Sequence, residues 1–221
     1  MPIVLAGLLL AFLVMLLFGG TELDRGLLML VYLNAEPRLA VAAELVRVAT
    51  SPMLLAATGA AGAGWLLVRR HWQNALLLLA ITAGGLLLAA YLGSLTAPLR
   101  PPPSERILPT QRSPFPNPAS AGAVFVWLSV AFLLTRRRPW RTLAVSLAVT
   151  LALAVGIFQL AAGAAWPSDV IGGWALGLCW TLLLLWLAGE DLGEGTPRAL
   201  RHSFREGERH GEPTHRDGPR D

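Results

Sequence analysis

Six apolar runs, each long enough or nearly long enough to cross a bilayer, limit what this chain can fold into. They cover roughly residues 2–20, 52–68, 73–93, 120–135, 142–162 and 169–188. A spanning helix needs about 20 predominantly apolar residues, because the bilayer core contains no water to satisfy backbone polar groups. With 54% hydrophobic residues and a mean hydropathy of +0.55, the chain is too apolar for an ordinary soluble domain. We predict an all-α integral membrane protein with a six-helix bundle over residues 1–190.

The first apolar run resembles a membrane helix more than a cleaved leader. No basic segment precedes it and no small-residue cleavage motif follows it. A secretory signal peptide normally carries both features. We therefore expect the run to be retained as a span.

The basic residues indicate topology control rather than nucleic-acid binding. All 18 of them are Arg, and although the pI is near 10.5, many of them flank apolar runs. Dense Arg in short turns marks the cytoplasmic face. One such turn contains Arg69 and Arg70. Another lies between the fourth and fifth runs and contains Arg136, Arg137, Arg138 and Arg141. We expect both termini in the cytoplasm, with the 21–51 and 94–119 loops and the 163–168 turn facing outward.

Three segments outside the apolar runs have distinct compositions. Residues 21–51 carry too many charges for a span, and the helical spacing that follows Pro37 predicts an interfacial amphipathic helix. Eight prolines make 94–119 an extended outer loop. The polar segment 191–221 predicts a mostly disordered cytoplasmic tail.

Cys179 is the single cysteine, so an intrachain disulfide and a zinc cluster are excluded. We expect no metal and no cofactor.

Three short segments form a recognisable series. The first is Arg100-Pro101, seven residues after Gly93. The second is Phe115-Pro116-Asn117-Pro118-Ala119. The third starts at Phe158-Gln159, continues to Ala165, and has Asp169 four residues later, before a Gly-rich helix. The series resembles the signatures of the type 2 phosphatidic acid phosphatase superfamily: K-x6-R-P, P-S-G-H and S-R-x5-H-x3-D.

The resemblance implies a lipid phosphatase frame without its chemistry. In the family, the third signature supplies a nucleophilic His, the Asp that orients it and a phosphate-binding Arg, while the second supplies the general-acid His. The two His positions are Ala119 and Ala165 here, and Gly93 stands at the Lys position. Gln159 replaces the Arg, and Pro118 replaces a Gly whose N–H would meet phosphate.

These replacements remove phosphoryl transfer in physical terms. An imidazole must attack phosphorus, and cationic donors must stabilise the phosphoryl oxygens. Alanine does neither. The four His of the chain are His71, in a cytoplasmic turn of the expected topology, and three in the tail: His202, His210 and His215. None reaches an outward-facing pocket on that topology, so we predict no catalytic residue.

Four polar residues remain as a candidate residual lipid-phosphate pocket: Arg100, Gln159, Ser168 and Asp169. Each also has a structural explanation. Ser168 or Asp169 can cap the helix that follows Pro167. Arg100 can lie at headgroup level, and Gln159 needs a buried partner. Gly173 and Gly177 form G-x-x-x-G, which allows close helix contact.

Three functions are consistent with these residues. The leading hypothesis is an inactive homologue that binds a lipid phosphate or acts as a scaffold. The second is a divergent active phosphatase on phosphatidic acid or undecaprenyl pyrophosphate. The third is a structural or assembly protein with a filled pocket. Expected partners are membrane lipids and a membrane protein, with no nucleic acid, and the expected location is a bacterial inner membrane, with the vestigial pocket facing the periplasm.

Overall fold

A computed structural model describes residues 1–19, 21–31, 37–96, 114–135 and 137–189. All regular secondary structure in these ranges is helical, so the all-α prediction is confirmed. Arg100 and the tail segment 191–221 lie outside the described residues.

Nine α-helices and one π-helical segment make up the described chain. In order they are α1 (Pro2–Phe18), α2 (Glu22–Val31), α3 (Pro37–Ala49), α4 (Pro52–Val68), α5 (Trp72–Thr96), α6 (Pro118–Ala123), the π segment (Val124–Leu128), α7 (Ser129–Leu134), α8 (Arg138–Ala161) and α9 (Pro167–Leu187). The sequence patterns do not predict α2. Helix α3 begins at Pro37, the residue assigned to the first turn of the interfacial helix.

Three of these helices, α5, α8 and α9, are long and apolar enough to cross a membrane. The bent pair α1 and α2 makes a fourth if it is counted as one span. Two shorter apolar helices, Pro52–Val68 and Pro118–Leu134, coincide with the runs 52–68 and 120–135, which are the two shortest of the six. The exact number of spans therefore stays a prediction.

Proline and short polar side chains start several helices. Pro52, Pro118 and Pro167 each occupy the first turn, where the missing N–H costs no hydrogen bond. Ser51 caps α4 by accepting from the Leu54 N–H at 3.4 Å. Asn117 caps α6, since its Oδ1 accepts from the Ser120 N–H at 2.9 Å.

The helix over Pro118–Leu134 is interrupted by the π segment, which aims Phe125 at α5. A Cβ added at Gly85 would lie 2.6 Å from the Phe125 ring, so only glycine fits beneath it. Ser129, which is fully buried, donates from Oγ to the carbonyls of Phe125 and Val126. The hydroxyl thereby satisfies backbone acceptors near the irregular turn.

Helix α9 is central in the packing. Helix α1 packs along it, and α6, the π segment and α5 pack on its other sides. Added Cβ atoms at Gly173 and Gly177 would lie 2.7 Å from the Asn117 carbonyl oxygen and 2.6 Å from Val124 Cβ. The G-x-x-x-G pair therefore serves a helix contact within the chain. Trp174 and Trp180 donate their indole N–H groups to backbone carbonyls of α8 and α5.

The two ends of the bundle differ in charge. The basic end carries the α4–α5 turn and the start of α8, with these described cationic or basic residues: Arg69, Arg70, His71, Arg137, Arg138 and Arg141. The Asp169 end carries the starts of α6 and α9 and the end of α8. It also holds Asp24, because α2 contacts α9 there.

Candidate functional site

The second and third sequence signatures meet at the Asp169 end. The Asn117 N–H donates to the Asp169 carbonyl at 2.9 Å, which ties the start of α6 to the start of α9. Gly173, one turn further along α9, lies under the same segment, since its added Cβ would also meet Ser120 Cβ at 3.0 Å. The fold therefore brings together segments that are about 50 residues apart in sequence.

The residues at the family's catalytic positions are closely packed. Ala165 and Asp169 are fully buried, and Ala119 is half-buried. Gln159 is half-buried in the last turn of α8, where its carbonyl accepts from the Ala164 N–H at 2.8 Å. The structure brings Ser168 and Asp169 into one turn of α9, whereas Arg100 lies outside the described residues.

A carboxylate from a distant helix reaches the start of α9. Asp24 of α2 accepts from the Ser168 N–H at 3.0 Å through Oδ1 and from the Ser168 hydroxyl at 2.7 Å through Oδ2. Both residues are buried, at 1% and 2% exposure. The N-cap of α9 is Trp166, whose side chain makes no capping hydrogen bond. The assignment of Ser168 or Asp169 as the N-cap is therefore wrong, and Asp24 supplies the capping carboxylate instead.

Sequence reasoning missed Asp24 because it treated the acid as one of several charges that interrupt residues 21–51. One signal was available. Asp24 and Leu28 are four residues apart and so share one helix face, and both are buried. A carboxylate on the apolar face of an amphipathic helix needs a hydrogen-bonding partner, and a helix start is a suitable one.

Phe115 fills the space beside the same helix start. An added Cβ at Gly172 would lie 2.3 Å from Phe115 Cε2, and the Phe115 ring is fully buried. Its other neighbour is Phe12 of α1, with ring centroids 5.0 Å apart. Thr96 at the end of α5 donates its hydroxyl to the Phe115 carbonyl. Three helices, α1, α5 and α9, therefore fix the position of this aromatic side chain.

The described histidine is far from Asp169. His71 precedes α5, and Thr96 ends it beside Phe115. A 25-residue helix is about 37 Å long. His71 thus lies roughly a full span away from the Asp169 end. The other three histidines are outside the described residues.

The described residues offer no candidate metal site, and the ion pair between Glu44 and Arg47 lies away from the Asp169 end. They contain no group of three or more His, Cys, Asp or Glu side chains placed to hold a metal ion. In α3, the Arg47 Nε donates to Glu44 at 2.7 Å, and this bond lowers the pKa of the exposed Glu44 carboxyl. That pair is a surface interaction and has no part in the Asp169 end.

The helical bundle, in which the starts of α6 and α9 are hydrogen-bonded and Asp169 is buried, defines an all-helical integral membrane protein. The family profile of the PAP2 superfamily matches residues 75–191, more than half of the 221 residues. The chain therefore belongs to the PAP2 superfamily. Among the curated proteins, none matches it.

A solved structure has the same fold. It is described as the first transmembrane PAP2 type phosphatidylglycerolphosphate phosphatase from Bacillus subtilis. The TM-score is 0.72 at 24% sequence identity, and the match covers 86% of this chain and 98% of that one. This similarity confirms the predicted fold class, an integral membrane helical bundle of the type 2 phosphatidic acid phosphatase kind.

Proposed function

We propose that this chain is a catalytically inactive member of the PAP2 superfamily that acts as a structural membrane protein. The observation that carries the proposal is the closure of the Asp169 end. Ala165 and Asp169 have no exposed surface, and the Asp24 carboxylate is bonded to Ser168 beside them. The solved structure of the same fold is a phosphatase by name, and this chain keeps its frame.

The missing chemistry supports inactivity. Alanine at positions 119 and 165 offers neither a nucleophile nor an acid for a phosphoryl group. Ser120 follows Ala119 directly in sequence, and its hydroxyl is fully buried. No partner for its Oγ is found in the described part of the chain, so no base activates it there. A buried, unactivated hydroxyl is a poor nucleophile.

The charge at the helix start also argues against a lipid phosphate in the same place. Backbone N–H groups at a helix N-terminus attract anions, and Asp24 already occupies this position on α9. A phosphate approaching Ser168 would meet a carboxylate in a buried setting, where like charges repel strongly. We therefore rank a structural role first and lipid-phosphate binding second. The residues that would bind the lipid phosphate are Arg100, Gln159, Ser168 and Asp169.

The orientation of the protein is part of the proposal. The basic end carries five described Arg in two short turns, and such turns remain cytoplasmic. The Asp169 end then faces outward, and both termini are cytoplasmic if all six apolar segments cross. A bacterial inner membrane is the proposed location, with lipids and a membrane protein as partners.

Phosphate release tests the inactivity. Purified full-length protein is incubated in detergent micelles with phosphatidic acid and, separately, with undecaprenyl pyrophosphate. The matched control is Asp169→Ala in the same detergent. We expect equal, background release from both proteins. Release by the wild type that Asp169→Ala abolishes would establish an active phosphatase instead.

Lipid mass spectrometry separates the scaffold from the lipid binder. The protein is extracted in native membrane patches, together with a Ser168→Ala variant. We expect the same bound lipids around both proteins, because no lipid phosphate is held at Ser168. Selective enrichment of a lipid phosphate that depends on Ser168 would favour the residual pocket.

A further inference from the structure

A cleft at the basic end of the bundle plays no part in the proposed function. Its volume is about 460 Å³, within the roughly 300–1,000 Å³ typical of ligand sites. Three elements form it: the end of α4, the end of α7 and the start of α8. Its lining residues are Trp65, Leu66, Arg69, His71, Leu133, Leu134, Thr135, Arg137 and Trp140.

The polar side chains of the lining, those of Arg69, His71, Thr135 and Arg137, can each donate a hydrogen bond. Arg69 and Arg137 carry permanent charges, and their forked N–H groups suit the oxygens of a phosphate. Thr135 adds a hydroxyl. Among the described residues, no carboxylate lies within ion-pair distance of either guanidinium. Arg69 rests instead over the Trp65 ring, 4.7 Å from its centroid, which leaves its edge N–H groups available.

The rest of the lining is apolar and lies at the ends of the helices. Leu66 and Leu133 are buried and form the floor, and Leu134 is half-buried. Trp65 and Trp140 are 51% and 60% exposed on the outer surface of the bundle. Tryptophan at helix ends commonly lies at headgroup depth. A ligand that fits both parts has an anionic head and an apolar body.

We propose that this cleft binds the phosphate headgroup of an anionic membrane lipid, with the glycerol and upper acyl carbons against Trp65 and Leu134. The site is at the opposite end from Asp24 and Ser168, so it does not depend on the proposed inactivity. A free phosphate ion shares the headgroup chemistry but has nothing to place on the apolar wall. The lipid is therefore the better fit to the whole cleft.

The test uses the full-length protein in nanodiscs of phosphatidylcholine with phosphatidylglycerol as the minority lipid. Native mass spectrometry measures which lipid stays bound after the protein is released. The test variant is Arg69→Gln with Arg137→Gln. The matched control is Arg70→Gln with Arg138→Gln, which removes the same charge from the neighbouring positions of the same two turns, outside the cleft lining.

We expect the wild type to retain phosphatidylglycerol in preference to phosphatidylcholine. The preference should fall about tenfold in the test variant and about twofold or less in the control, because only the test variant loses direct phosphate contacts. Equal losses in the two variants would mean general surface attraction and would overturn the proposal. So would the absence of any preference in the wild type.

Two further arms keep the result interpretable. Leu134→Trp fills the cleft without changing its charge, and it should lower the preference as well; an unchanged preference would place the lipid elsewhere. Excess inorganic phosphate should compete weakly. If phosphate alone displaces the lipid completely, the cleft is a soluble-anion site, and the lipid assignment is wrong. Both measurements report lipid binding at the cleft, so their results do not depend on whether the protein releases phosphate from a lipid.

Discussion

Asp24 and Ser168, 144 residues apart in sequence, are joined by two hydrogen bonds at the start of α9. The carboxylate receives the Ser168 N–H and hydroxyl in a buried site, so α2 is anchored to the centre of the bundle. Bonds to a charged acceptor are stronger than neutral ones, and a negative group at a helix N-terminus adds a favourable dipole interaction.

Removing this carboxylate should destabilise the protein. Asp24→Ala leaves the Ser168 N–H and hydroxyl buried without their acceptor, and we expect a loss of about 3 kcal/mol in the free energy of unfolding. Glu22→Ala is the control, because Glu22 is exposed in the same helix. Denaturation in detergent micelles, followed by circular dichroism, measures both. Equal stability of the two variants would contradict the anchoring role.

The coupling between the two residues is measurable directly. A double-mutant cycle with Asp24→Ala and Ser168→Ala should give an interaction free energy of about 1–3 kcal/mol, since each single change removes the same hydroxyl–carboxylate bond. The backbone N–H bond survives in Ser168→Ala, so that variant should be the less damaging of the two. Additive effects in the cycle would show that the side chains act independently.

Close packing at Gly173 should forbid even a methyl group. Gly173→Ala places a Cβ 2.7 Å from the Asn117 carbonyl oxygen, so backbone must move, and we expect a loss of about 1–3 kcal/mol. At Gly64 in α4 nothing lies within 4 Å of the added Cβ. Gly64→Ala should therefore be neutral or slightly stabilising. Thermal unfolding of both variants in one detergent tests this, and a reversed order would refute the packing.

Restoring the histidines alone should not restore turnover. The variant Ala119→His with Ala165→His still has Gly93 and Gln159 where the family has cationic side chains, and loss of one such donor costs about 10²–10³ in rate. We expect phosphate release at background, with folding checked by circular dichroism. Clear hydrolysis by the double variant would show that the remaining Asp169 end is still arranged for catalysis.

Part of this arrangement is readable from the sequence. The length and hydropathy of the apolar runs predict the long helices, because the bilayer allows few alternatives for an unbroken apolar segment. Asn117 and Asp169 each belong to a family-like signature of the sequence, and their backbones are hydrogen-bonded. These features depend on local composition or on a motif already seen in other chains.

The rest depends mostly on contacts between segments that are far apart in sequence. Asp24 has an unremarkable charged neighbourhood in sequence, and only the packing of α2 on α9 turns it into a cap. The π segment around Phe125 follows from the glycine that faces it on α5 and from Ser129, which satisfies the carbonyls of the irregular turn. Such features arise from side chains that meet only after the helices have packed.

We propose that no group among the residues that the structure describes can attack phosphorus at the Asp169 end. Intact mass measurement after brief incubation with phosphatidic acid and acid-free quenching tests it most directly, because a phosphoryl group on histidine survives such handling. We predict an unchanged mass for the full-length protein. A gain of one phosphoryl group that is lost in Asp169→Ala would contradict the account.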